Sequence, residues 1–563
     1  MRPSPFERIV LQPMEKTSEQ VLPRQTGDGG PARDSRAARA ARPVSRRLLG
    51  SARLAPALAT ALAIALAALA LWLIAGVGFV NYDTLYGLVW GAQLARGETP
   101  QYGLPIAPTP HPLVELLGIP LAPLGAGAGT AIVVALAFLA LAASAWLVYR
   151  IGSEWFGRAA GAVAALALLT RVPVLSYGVR AYVDVPYMLF VLAALLVETR
   201  RRRAGAPVLV LLALAGLLRP EAWAFSALYW LYLALPARRS RRSLAHSPSH
   251  PSPPHPPSRS PPAHSPSDPS CPTSPSHPPR SRRELAWLAL LAASAPLIWI
   301  ASDLLVTGDA MWSLTNTKHT AATLGRATGI GDVPEYVPRR IGEVLRPAVL
   351  AGAALGGVLS LLWLRSRAAL GAVAGVAAVL VFAAMASAGL PIDTRYAFLT
   401  GAILCVFCGA GAFGWTALPR GDRRRTVWMA AGGVIVVALL ATLPGQVRSA
   451  HRELAKLARQ QTIQSDLTAL VHSHAIALRC GPVGVPNHAP IPLLALYLKA
   501  PPSRVVSAEA APIGRGVYVD PASLEVQREY ILDPRDPHSQ VSIPPGFTEA
   551  ATNSSWLIFR RCE

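Results

Sequence analysis

GFVNYDTLYGLVWGAQLARGE, residues 78–98, follows an almost uninterrupted apolar run from Leu54 to Val80. That run exceeds the roughly 20 apolar residues a helix needs to cross a bilayer. Past its end the apolar residues Leu85, Leu88, Val89, Ala92 and Ala95 recur at helical spacing, while Tyr82, Tyr86 and Trp90 form an aromatic stripe four residues apart. The pattern predicts a transmembrane helix over 54–80, then a shorter helix lying in the membrane interface with its aromatics at headgroup depth. Asp83 is then held at the water boundary. Residues 1–53 are polar, rich in Arg, Gly, Pro and Ser, and end in RPVSRRLLGSAR. They read as a disordered basic cytoplasmic tail, too long for the n-region of a cleaved signal peptide. The first helix therefore runs from inside to outside, and Asp83 emerges on the outer face.

The rest of the 563-residue chain extends this reading. With 52% hydrophobic and only 15% charged residues it is too apolar for an ordinary soluble enzyme of its size. Its formal charge of +22 is placed in short runs between apolar segments rather than over one surface, which answers to membrane topology and not to nucleic acid. Further apolar segments at 129–149, 159–178, 185–199, 206–218, 222–236, 285–305, 347–364, 368–389, 395–415 and 427–444 bring the expected count to about eleven spans. The links YRIGSEWFGR, TRRRRAG, the insert opening with RRSRRS, RSR and PRGDRRR all carry arginine and read as cytoplasmic. The alternate links hold the Asp83 loop, GVRAYVDVP, LRPEA, residues 306–346 and LPIDTR, and read as external. Segment 206–236 is taken as two helices meeting at RPE, because a single kinked helix would invert every later link against the positive-inside bias.

Two stretches lie outside this membrane pattern. Residues 237–283 form a disordered Ser/Pro/His-rich cytoplasmic insert, since Pro-rich sequence cannot bury a core; its five histidines admit metal binding as the alternative. From 446 to 563 hydrophobicity falls to that of a soluble α/β domain, with a helical start at SAHRELAKLARQQTIQSDLTALVHSH and strand-like pieces such as RGVYVD and SSWLIFRRC. By parity this domain is extracytoplasmic, where an oxidising compartment permits a disulfide between Cys480 and Cys562. Cys405 and Cys408 lie inside an apolar segment and read as helix packing residues rather than metal ligands.

Ionisable groups gather at the outer ends of the spans. SYGVRAYVDVPYMLF supplies Arg180 and Asp184, GLLRPEAW supplies Arg219 and Glu221, LPIDTRYAF supplies Asp393 and Arg395, and NTKHT supplies Lys318 and His319. A single such residue is ordinarily a snorkelling or capping group. Several sharing one face point to a site. Carboxylates supply a general base and arginines bind phosphate oxygens through their forked donors, so a membrane-embedded phosphate with a long apolar tail is the ligand expected.

At these residues the chain resembles the GT-C superfamily of integral membrane glycosyltransferases, including its protein mannosyltransferase and aminoarabinose transferase branches. The likeness lies in NYDTLYG after the first helix, the PHPL return that contains His111, the RAYVDVPYMLF hairpin, LLRPE and DTRYAFL, and spans about residues 54–445. Asp83 is followed by Thr84 rather than by a second acidic residue as in the protein mannosyltransferases, and PHPL stands where they carry HPPL. The resemblance implies an α-helical polytopic membrane protein of the inner (plasma) membrane that moves a sugar, with inversion, from a polyprenyl-phosphate donor to an acceptor hydroxyl outside the cytoplasm. The acceptor is a cell-envelope glycan, lipid or protein. It also implies Asp83 as general base, Arg180, Arg219, Lys318 and Arg395 as ligands of the donor phosphate, and Asp184, Glu221, His111 and Asp393 as groups orienting sugar or acceptor hydroxyls. Some relatives use a divalent metal, but no residue pattern here requires one or any other cofactor. The competing reading is a transporter or flippase of a lipid-linked sugar, which calls for ionisable or broken-helix positions near mid-bilayer in both halves.

Overall fold

The computed structural model describes residues 44–236, 280–531 and 543–562. The tail 1–43, residues 237–279 of the insert with all five of its histidines, and 532–542 lie outside the described residues. The chain divides into two units, residues 1–60 and 61–563. Of the first unit only the helical residues from Val44 are described; everything below belongs to the second unit, save the start of helix α1 (Val44–Ala75).

Among the described residues seven helices are long and apolar enough to cross a membrane, which makes this a polytopic membrane fold. They are α1, α4 (Ala126–Phe156), α10 (Arg282–Thr307), α12 (Val333–Trp363), α13 (Arg365–Ser387), α14 (Phe398–Phe413) with the 3-10 turns flanking it, and α15 (Arg423–His472). Between the first two lie α2 (Tyr82–Ala95) and α3 (Pro112–Leu121); α11 (Trp312–Thr323) follows α10. An eighth crossing arises if α5 (Arg158–Leu169) and α6 (Val172–Val179), bent by 64° at Thr170–Arg171, are one span. The remaining three expected spans are helices of 17, 11 and 14 residues: α7 (Asp184–Arg200), α8 (Ala206–Gly216) and α9 (Glu221–Ala234). These three are shorter than a straight crossing needs, and Pro186, Pro207 and Pro220, which fit only first helical turns or caps, fix where they begin. Segment 206–236 does form two helices, which pack on one another and on α10.

The first helix stops at Ala75 rather than Val80, where Gly76 takes φ +63°. Helix α2 departs further from expectation. Its Tyr86 and Trp90 are fully buried, as are most of its residues, so the aromatic stripe packs inside the protein instead of facing headgroups. The cover comes from α3 on one side and from α16 (Ile491–Leu498) of the C-terminal region on the other.

Helix α14 is the centre of the bundle, with 89% of its span buried. Lipid offers no hydrophobic drive for helix association, so close packing of small residues must supply it. A Cβ at Gly356 of α12 would collide with the Phe407 carbonyl of α14, and one at Gly411 with the Gly352 carbonyl. Cys408 lies against Gly352 in this contact, and Cys405 is buried as well. Helix α12 breaks at Arg346, φ +63°, ahead of Pro347. The freed Leu345 carbonyl accepts from Nη1 of Arg171, which sits at the α5–α6 break and also bonds the Ala167 carbonyl. One buried guanidinium thus joins two interrupted helices.

Helix α15 runs 50 residues, straight through the expected domain boundary at 445. Beyond it a five-stranded sheet of order β2-β1-β3-β5-β4 forms from β1 (Val483–Val485), β2 (Val505–Ser507), β3 (Gly516–Pro521), β4 (Thr548–Thr552) and β5 (Trp556–Arg561). Strand β1 is parallel to β2 and β3, and β5 is antiparallel to β3 and β4. A Cys480–Cys562 disulfide closes the sheet's end over a sequence separation of 82.

Candidate active site

Asn81 sets the position of Asp83. Its side chain caps α2 by accepting from the amides of Asp83 and Thr84, while its own amide donates to the carbonyls of Arg180 and Ala181. The N-terminus of α2 is thereby fixed to the hairpin between α6 and α7, and an anionic side chain there is favoured by the helix dipole. Across from it, the short turn Thr394–Ala397 carries Arg395, whose Nη1 donates to Oδ2 of Asp83 at 2.7 Å. Both side chains are mostly buried, 15% and 17% exposed. Asp393 flanks Arg395 at 3.7 Å and Arg326 at 3.6 Å, distances of ion contacts rather than hydrogen bonds.

A second cluster adjoins the first. Arg219, between α8 and α9, donates to Asp184 at the start of α7 and, at 2.9 Å, to Glu221 at the start of α9. All three are buried. The Tyr396 ring lies between the clusters, 4.2 Å from the Arg219 guanidinium and 5.5 Å from that of Arg395. His111 precedes α3 and is buried within electrostatic reach of Asp83, Arg219 and Arg395. Of the expected site residues, seven thus gather here: Asp83, His111, Asp184, Arg219, Glu221, Asp393 and Arg395.

The other two stand apart. Arg180 does not point to the carboxylates; it lies against the Tyr177 and Tyr182 rings at 4.7 and 5.0 Å and donates to Ser176. The Tyr182 ring in turn lies 5.9 Å from Arg395, so Arg180 lines the flank of the same region. Lys318 is exposed on α11, its aliphatic stem against Gly389 in the turn that leads to Asp393. Among the described residues no group of three or more metal-ligating side chains is assembled.

Burial acts to raise the Asp83 carboxyl, but the charges around it, led by Arg395, reverse this and hold it below the usual carboxylate value. Burial pushes His111 down to about 4, with Arg219 and Arg395 adding to the effect against the pull of Asp83. His111 is therefore neutral near pH 7. Four α3 residues further on, burial lifts Glu115 to about 7 although Tyr102 donates to it at 2.6 Å.

Four buried atoms of the site find no hydrogen-bond partner among the described residues: Oδ2 of Asp184, Nδ1 of His111 and Nε of both Arg326 and Arg395. Each such group costs about 1–3 kcal/mol. They form an acceptor, a ring nitrogen and two cationic donors, a set that hydroxyl and anionic oxygens can satisfy.

No protein-family model matches the chain, and no curated protein matches it. Among solved structures it is similar to ArnT from Cupriavidus metallidurans bound to undecaprenyl phosphate. The identity is 13% and the TM-score 0.48, over 88% of this chain and 97% of that one.

Arg326, Tyr182 and Tyr396 complete the site without having stood out in the sequence. Tyr396 adjoins Arg395 in DTRYAFL and was within reach of motif reading; Arg326, in the glycine-rich stretch LGRATGIGD, carries no such signal.

Proposed function

We propose that the chain is a GT-C-type membrane glycosyltransferase that moves a sugar from a polyprenyl-phosphate donor to an acceptor hydroxyl on the extracytoplasmic face, with inversion. The observation that carries the proposal is the buried Asp83–Arg395 pair at 2.7 Å with the Asp184–Arg219–Glu221 cluster beside it. Asp83 takes the proton of the acceptor hydroxyl, the oxygen attacks the anomeric carbon, and the sugar–phosphate bond breaks with its electrons on phosphate. Arg395 and Arg219 stabilise that charge, and Arg180 and Lys318 guard the approach. Asp184, Glu221, Asp393 and neutral His111 orient hydroxyls.

The resting pair bears on the mechanism. Arg395 holds Asp83 ionised but weakly basic. A donor phosphate competes for the same guanidinium, and as Arg395 turns to it Asp83 loses its counter-charge and gains basicity. The base is strengthened when donor is bound. The Cys480–Cys562 disulfide is consistent with an oxidising, extracytoplasmic side for the C-terminal region, and with an odd number of crossings, as in the eleven expected, the N-terminus is cytoplasmic.

The transporter reading has one observation in its favour, the interrupted helices at Arg171 and Arg346. These breaks bond to each other, and the one at Arg171 caps the end of α6 opposite Arg180, about 12 Å of helix from it, whereas the carboxylate–arginine pairs gather at the Arg180 end. Asp83→Asn separates the readings. It should lower sugar transfer by about 100-fold or more while donor binding persists. Full transfer activity in that variant refutes the base; movement of donor across proteoliposomes without transfer supports the transporter.

A further inference from the structure

A groove of about 600 Å³ lies between α1, α4 and the outer stretch of α15, on the far side of α2's start from the charged cluster. Its position follows from α2: Leu85 lines the groove, and Asp83, two residues earlier, faces away by roughly 200° of helix rotation. The walls are apolar, from Leu69 and Trp72 of α1 and Phe138 and Leu139 of α4. These are two of the candidate membrane spans, and only 6% of α1's span is buried, so the medium that meets the open side is hydrocarbon. At the other end the lining turns polar with Gln461, Gln464, Ser465 and Thr468 of α15, while Tyr497 brings its hydroxyl to 3.5 Å from that of Thr130.

None of the described residues lining the groove is charged. An anionic head or a prenyl phosphate would leave its charge without a cation here, whereas amides and hydroxyls both donate and accept. An apolar trough capped by neutral donors and acceptors matches one kind of amphiphile, with a volume in the range of about 300–1,000 Å³ that ligand sites occupy. We propose that this groove binds a membrane lipid with an uncharged, hydroxyl-bearing head, its chains between α1 and α4 and its head against Gln461–Thr468. Oε1 of Gln461 accepts from the Gly78 amide at 2.9 Å, so the occupant packs behind the segment that leads to Asp83. The inference rests on the membrane-spanning fold and not on sugar transfer.

The test is photolabelling of the full-length protein in phosphatidylglycerol nanodiscs. Trace probes with a diazirine in the acyl chain are compared: diacylglycerol, monohexosyl diacylglycerol and phosphatidylglycerol. Peptides containing Leu69–Trp72 and Phe138–Leu139 should be labelled by one or both neutral probes about tenfold more than by phosphatidylglycerol, and the stronger neutral probe identifies the head. Gly127 lines the groove and has open space where a Cβ would stand, so Gly127→Phe adds a ring at the groove without a clash at its Cβ and should lower that labelling several-fold. Combining Gln464→Leu with Thr468→Val keeps the volume and should erase the preference for neutral heads. Equal labelling by phosphatidylglycerol, labelling indifferent to Gly127→Phe, or label spread evenly onto bilayer-exposed α13 overturns the proposal. Because the readout is binding, loss of transferase activity elsewhere does not affect the result.

Discussion

Asp83 and Arg395 lie 312 residues apart in sequence and 2.7 Å apart in space. On the proposed mechanism the acid limb of kcat/KM reports ionisation of Asp83, whose carboxyl Arg395 holds below the usual value. Arg395→Met removes the cation, so the limb should move to higher pH by about 1–3 units, whatever the loss in rate. An unmoved limb would mean that Arg395 does not tune the base. Glu115 obeys the opposite sign. Burial raises it from 4.5 to about 7, so the folded state binds its proton more tightly than the unfolded chain. Stability on this account is fully present below about pH 4.5 and falls as pH rises to about 7, by on the order of 3 kcal/mol. Glu115→Gln should flatten that loss, measured by thermal unfolding at pH 5 and pH 8. At this scale much was legible: charges interrupting apolar runs are conspicuous, so Asp184, Arg219, Glu221 and Arg395 declared themselves. Arg180 did so too, but its stacking on Tyr177 and Tyr182 depends on the α5–α6 bend, which the apolar window 159–178 conceals.

Helix packing decides how well the site is held. A Cβ on Gly91 of α2 would strike the Glu115 carbonyl and Gly118 of α3, so the helices touch backbone to backbone. Gly91→Val should drive α3 away, lower stability by about 1–3 kcal/mol and displace His111. Thermal unfolding checks the first effect, and transfer with intact donor binding the second. Helix existence was readable from hydropathy, but helix ends and breaks were not. Prolines set the first turns of α7, α8 and α9, and the break at Arg346 falls where the apolar count only begins. Helix α15 joins what the sequence shows as two pieces, the span 427–444 and the helical start at SAHRELAK: hydropathy drops near 445, yet the helix runs on because helix propensity is independent of membrane affinity.

For the molecule as a whole, the long α15 leads from the bundle into the sheet, and α16 returns to cover α2. The ring of His488, just before α16, lies 5.4 Å from that of Tyr82, beside Asp83. This contact between distant segments explains why α2 read as an interfacial helix and is instead buried: α3 supplies most of its cover, but part of it comes from residues some 400 positions later. The Cys480–Cys562 bond ties that cover together. Replacing both cysteines by serine should cost about 2–5 kcal/mol in the C-terminal region, read as earlier protease cleavage between 480 and 562. The central claim is that the buried acid at position 83 drives sugar transfer. Purified protein is incubated with a panel of radiolabelled polyprenyl-phosphate sugars and a cell-envelope extract, alongside the Asp83→Asn variant. Label moving from donor to an acceptor with wild type, and staying on the donor with the variant, is the result expected; transfer by both alike would contradict it.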